Sequence, residues 1–154
     1  MTADHPVRTR VARRISAEPT STALLLAGPT ALELWPGVRR IGEVGGRVLV
    51  EAELAGAPAD APTAASVRAH PPRRTPTSFV TRFTWTGPGL PVTEGTLTLA
   101  YGVGAEGTPS TQAELTLDST DLGSSRLDEA GLTAMAEGFL DNLARAAESR
   151  SRAA

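Results

Sequence analysis

The chain has 154 residues, 40 % of them hydrophobic and 21 % charged, with a net charge of −2 at neutral pH. This is the size and composition of one globular domain with one core, and the charge balance supplies no field drawing it to nucleic acid or an anionic membrane. All fifteen basic residues are arginine, and the absence of cysteine removes disulfides, thiolate nucleophiles and zinc–cysteine sites.

In chain order, residues 1–6 read as a flexible start. The run "VRTRVARRI" then alternates Val7, Thr9, Val11, Arg13 and Ile15 against Arg8, Arg10, Ala12 and Arg14, the period of an amphipathic strand. No basic start with an apolar run follows Met1, and no run of 18 apolar residues occurs, so a soluble, cytoplasmic chain without a membrane span is expected. Pro19, Thr20 and Ser21 suit a helix start, with Leu24, Leu25 and Leu26 on its buried side. A second short helical segment is predicted over Thr30–Leu34, stopped by Pro36 and Gly37.

"VRRIGEV" and "RVLVEAEL" flank Gly45-Gly46, the composition of a tight hairpin turn in which both central residues take positive φ. Between Ala55 and Thr77, "AASVRAH" reads as a strand, with the prolines at 58, 62, 71, 72 and 76 marking loops. "SFVTRFTW", "VTEGTLTLAYG" and "TQAELTLD" give three more strands joined as antiparallel hairpins.

From about Arg126 to Glu148 the spacing of Leu127, Met135, Phe139 and Leu143 predicts a long amphipathic helix, opened by a capping-box-like Ser125 and Asp128. Residues 149–154 are expected to fray. Gly131 and Gly138 lie seven residues apart on nearly one helical face, each costing about 1 kcal/mol against alanine, and with Asn142 they could roof a cavity. Close helix–sheet packing is the alternative use of the same glycines.

The order is strand, two short helices, six strands, long helix. With "LWPGVRRI", "VGGRVLVEAEL" and "FLDNLARAAE", it resembles the SRPBCC or START-like superfamily, which includes Bet v 1-like proteins and polyketide cyclases. The resemblance covers about residues 7–148 as a single domain. It implies an α+β helix-grip fold: a curved seven-stranded antiparallel sheet, two short helices, and a long C-terminal helix over a cavity. It also implies a hydrophobic small-molecule ligand, whether lipid, aromatic or polyketide-like, and no cofactor. Trp35 would then sit at the sheet's mouth.

One face of the predicted fifth strand carries Phe79, Thr81, Phe83 and Trp85, and the other Val80, Arg82 and Thr84; aromatic weight favours the first as interior. Leu97, Leu99 and Tyr101 share a face, as do Ala113, Leu115 and Leu117. The expected ligand-binding set is Trp35, Phe83, Trp85, Leu99, Tyr101, Met135, Gly138 and Asn142. An arginine such as Arg82 turned inward would instead demand an anionic partner.

No catalytic set emerges. "GVGAEG", Gly102–Gly107, has the form G-x-G-x-x-G but leads into a strand, so a glycine-rich hairpin loop is expected instead of a dinucleotide site. His5 and His70 lie outside firmly packed segments, and the acidic stretches lack calcium-loop spacing, so no metal site is expected. Arg13-Arg14, Arg39-Arg40 and Arg73-Arg74 read as solvated charges that blunt sheet edges, with no nucleic-acid partner expected. Three functions stay open: a cyclase or aromatase, a non-enzymatic carrier or sensor, and an interaction module with a filled core. The sequence does not fix the oligomeric state.

Overall fold

The computed structural model describes residues 7–27, 31–53, 63–87, 92–120 and 129–153. Strand β1 (Val7–Ile15) leads through helix α1 (Pro19–Leu26) and a 3-10 turn (Ala31–Leu34) into β2 (Val38–Val44) and β3 (Arg47–Ala52). Then follow β4 (Thr63–Ala69), β5 (Arg73–Arg74), β6 (Ser78–Thr86), β7 (Val92–Val103), β8 (Pro109–Thr120) and helix α2 (Glu129–Ala153).

The strands form one curved antiparallel sheet in the order β1-β8-β7-β6-β4-β3-β2, with α2 as the long helix of a helix-grip fold. Among the described residues the sheet has eight strands where the sequence predicts seven, the addition being the short β5, in which Arg73 and Arg74 pair with Val80 and Phe79. At the β2–β3 turn Gly45 and Gly46 have φ of 58° and 78°, which L side chains resist, and Val44 pairs with Arg47 as expected.

Period two carries alternate residues to the concave face. In consecutive register this places Val67, Trp85, Thr93, Ser119 and Val7 side by side across five strands. Beside them run Ala69, Phe83, Gly95, Leu117 and Thr9. Phe79, Phe83 and Trp85 therefore face the core and Arg82 is exposed, the orientation the aromatic weight favours.

Helix α2 presents Leu132, Ala136, Phe139, Leu140, Leu143, Ala144 and Ala147 to this face and continues past Glu148 to Ala153. It is pinned to β1 by the Arg13–Asp141 ion pair and by Ser16 N–H donating to Glu148 Oε2 at 2.9 Å. Ser125 and Asp128 lie outside the described residues.

Helix α1 departs from its sequence reading. Thr22 and Ala23 are its buried residues, and Leu24 is exposed, with Leu25 and Leu26 only half-buried. Thr22 can lie inside because its Oγ1 donates to Glu18 O at 2.9 Å, which satisfies the hydroxyl without water.

On the convex face the edge strand β1 carries its arginines in ion pairs, Arg8 with Asp118 at 2.8 Å and Arg10 with Glu114 at 2.7 Å. Hydrogen bonding, then Coulomb attraction, from those carboxylates raises the pKa of both guanidinium groups. Arg39 pairs with Glu51, and Arg40 with Glu43 at 3.2 Å, so the opposite edge is charged too.

Candidate functional site

The site is built around Trp35. The 3-10 turn before it closes with Trp35 N–H donating to Leu32 O at 3.2 Å, and Val38 N–H returns to Trp35 O at 3.1 Å as β2 begins. Between them Gly37 reverses the chain at φ 72°. The side chain is thereby driven under α2, where it is almost fully buried.

Three rings meet it. Phe139 of α2 stacks on Trp35 with centroids 4.4 Å apart, while Phe83 and Trp85 of β6 approach edge-on at 5.8 and 5.6 Å. Edge-to-face and offset geometries are the favourable ones for aromatic quadrupoles. Phe83 reaches across its own strand pair: an added Cβ on Gly95, its register partner on β7, would lie 2.1 Å from Phe83 Cζ. The glycine provides the floor on which the ring end rests.

The other residues of the expected set fall into different surroundings. Leu99 is wholly buried on β7, and Met135 is half-buried against the core. Asn142 lies one turn beyond Gly138, half-buried, and its Nδ2 donates to Leu34 O at 2.8 Å, which ties α2 to the turn before Trp35. Tyr101 follows Leu99 in parity yet is 57 % exposed, since the strand end outruns the cover of the helices. It borders a groove of about 170 Å³ with Thr20, Arg74, Thr77 and Phe79, at the other end of the sheet from Trp85.

Gly138 is tightly packed, against the turn before β2 and not against the sheet. A Cβ there would lie 2.4 Å from Pro36 Cγ, so the missing side chain makes room for the proline that follows Trp35. Gly138→Ala is accordingly expected to destabilise by about 1 kcal/mol: crowding costs about 1–3 kcal/mol and outweighs a helix-propensity gain of about 1 kcal/mol. Urea unfolding followed by circular dichroism reads the sign, and a stabilised variant would show that Pro36 yields.

A polar band that the sequence reading passed over crosses the same interior. Trp85 on β6, Thr93 on β7, Ser119 on β8 and Thr9 on β1 are all buried, on four adjacent strands. Thr93 and Ser119 share a hydrogen bond of 3.0 Å between their hydroxyls. Trp85 Nε1 and Thr9 Oγ1 are sealed from solvent with no hydrogen-bond partner, as is Ser110 Oγ away from this band. The signal was present in the parity of the strands, but small hydroxyls next to large rings draw little notice in a pattern search.

Among the described residues, the concave-face positions of β6, β7 and β8 carry no histidine and no carboxylate. No group of three His, Cys, Asp or Glu side chains among them could hold a metal ion, and no helix among them is long and apolar enough to cross a membrane. His70 is exposed, with its N–H on Arg82 O at 2.8 Å, and His5 lies outside the described residues. Gly102 and Val103 end β7, and the β7–β8 connection that follows, a 3-10 turn at Ala105–Gly107 closed by Gly104 N–H to Thr108 O at 2.6 Å, leads into β8 with no α-helix to face a pyrophosphate.

No family model matches the sequence, and no curated protein does. Solved structures do match in fold. The Zhui aromatase/cyclase from Streptomyces sp. R1128 aligns over 97 % of this chain and 98 % of its own with TM-score 0.65 at 20 % identity. A conserved protein from Geobacillus kaustophilus aligns over 93 % and 96 % with TM-score 0.65 at 8 % identity. A START superfamily protein from Mycobacterium smegmatis aligns over 93 % and 95 % with TM-score 0.56 at 15 % identity. At such identities the likeness is one of fold: the chain has the START-like helix-grip architecture.

Proposed function

We propose that this START-like helix-grip chain binds a hydrophobic small molecule between its sheet and α2, at the rings of Trp35, Phe83, Trp85 and Phe139. The carrying observation is where the aromatics are. The chain has three phenylalanines, two tryptophans and one tyrosine, and every one lies on the concave face of the sheet or on elements packed over it. A core needing only bulk could spread them, as aliphatic residues serve equally for area. Phe83 and Met135 are half-buried beside this cluster and offer the flank at which a planar apolar molecule can enter among the rings.

The neighbours' fold supports a ligand-holding role, and one of them is an aromatase/cyclase. Among the described residues, the buried polar side chains facing this interior are hydroxyls and the Trp85 indole N–H, which orient a ligand by hydrogen bonds. The reading is therefore retention of a ligand, with any change in that ligand arising from how it is folded and kept from water.

Native mass spectrometry of the protein as purified, followed by equilibrium dialysis against 2-ethylnaphthalene, tests it. One molecule bound per chain is expected, either carried through purification or taken up in dialysis. The reading is overturned if no molecule copurifies and neither 2-ethylnaphthalene nor its ketone analogue 2-acetylnaphthalene is taken up saturably at 1:1.

A further inference from the structure

The polar band allows the ligand's chemistry to be narrowed, given the binding reading above. Trp85 is 8 % exposed and its Nε1–H, sealed inside an apolar interior, has no acceptor; Thr9, at the far end of the band, is 5 % exposed with an equally unpaired hydroxyl. An indole nitrogen donates and cannot accept. Leaving a buried donor unpaired is costly, so the interior holds a group whose energy improves when an acceptor arrives. A hydroxyl is less informative, because it turns to give or take a proton as required.

The position of the indole is fixed by its neighbours. Trp85 lies between Val67 and Thr93 in register, and Trp35 abuts its ring at 5.6 Å, so its N–H cannot swing out to solvent without dismantling the cluster. Its register neighbour Thr93 does not relieve it: the Thr93 hydroxyl bonds Ser119 at 3.0 Å, and Trp85 Nε1 has no hydrogen-bond partner. Charge on the ligand would be unfavourable here, since the surrounding rings and Val67 provide no counterion.

We propose that Trp85 is the specificity-determining residue of the site, and that it selects a neutral, largely apolar molecule bearing a carbonyl-type oxygen, which accepts the indole N–H. A ligand reaches that atom by parting the side chains packed over it and recovers the hydrogen bond in exchange. Molecules that are hydrocarbon throughout fit the rings but leave the donor unpaired, and are discriminated against accordingly.

The test uses two probes of nearly equal shape, 2-acetylnaphthalene and 2-ethylnaphthalene, in equilibrium dialysis with the wild-type chain and with Trp85→Phe, which keeps a ring and removes the donor. The ratio of the affinity for the ketone to that for the hydrocarbon is expected to fall about tenfold in Trp85→Phe, the effect of one buried hydrogen bond. An unchanged ratio overturns the inference and leaves the binding reading standing, as does binding of the hydrocarbon without the ketone; failure of both probes to bind the wild type overturns both. Should Trp85→Phe not fold, the wild type alone decides. In its ¹H–¹⁵N spectrum the Trp85 indole resonance is expected to move downfield with the ketone and not with the hydrocarbon. Equal displacement by both probes refutes the assignment.

Discussion

Trp35→Ala is expected to cost about 3–5 kcal/mol of folding stability, the range for emptying a large buried ring site. In a domain of this size that lowers Tm by roughly 10 °C. The loss exceeds the ring's own area because Trp35 is the common neighbour of Phe83, Trp85 and Phe139, and its contacts with them contribute about 0.5–1.5 kcal/mol each beyond burial. Denaturant unfolding monitored by far-ultraviolet circular dichroism measures it. A cost under 1 kcal/mol would mean that Phe139 and β6 close directly on each other, and that the cluster has no centre.

Gly95→Val is expected to destabilise by about 2–3 kcal/mol, although valine is much the better strand former. The end of the Phe83 ring occupies the space a Cβ would need, 2.1 Å from Cζ and 2.3 Å from Cε2, so the ring must leave its place against Trp35. The double variant Gly95→Val with Phe83→Ala checks the cause. Its stability should exceed the sum of the single effects by at least about 1 kcal/mol, because the new side chain then fills the volume the ring vacates. Simple additivity would show that the two residues do not share one space.

These two positions also mark how far local pattern reaches. The Gly45-Gly46 hairpin and the facing of Phe79, Phe83 and Trp85 follow from period and turn chemistry, both properties of neighbours in sequence. Gly138 and Asn142 were visible as odd residues in a helix, but their partners, Pro36 and Leu34, stand more than a hundred residues away, and no spacing within α2 points to them. Tyr101 has the right parity and the wrong depth, because alternation tells which face a residue takes and not where the covering layer stops. Arg73 and Arg74 lie between prolines that argue against a strand, and their short pairing with β6 comes from tertiary context. The unpaired N–H of Trp85 belongs to a third kind of information, since a missing partner has no signature in sequence at all.

The sheet order has a consequence for how the chain is made. β1 is made before the other described strands, yet among them its one neighbour is β8, and Arg8 meets Asp118 across 110 residues of chain. At common translation rates of about 5–20 residues per second, β1 waits for roughly 5–20 s without its partner. During that interval the four arginines among its nine residues keep an unpaired amphipathic strand repelling copies of itself on neighbouring nascent chains. The ion pairs that later settle two of those charges on β8 are thus the end of a longer service, in which the same side chains first act as a guard against aggregation during synthesis.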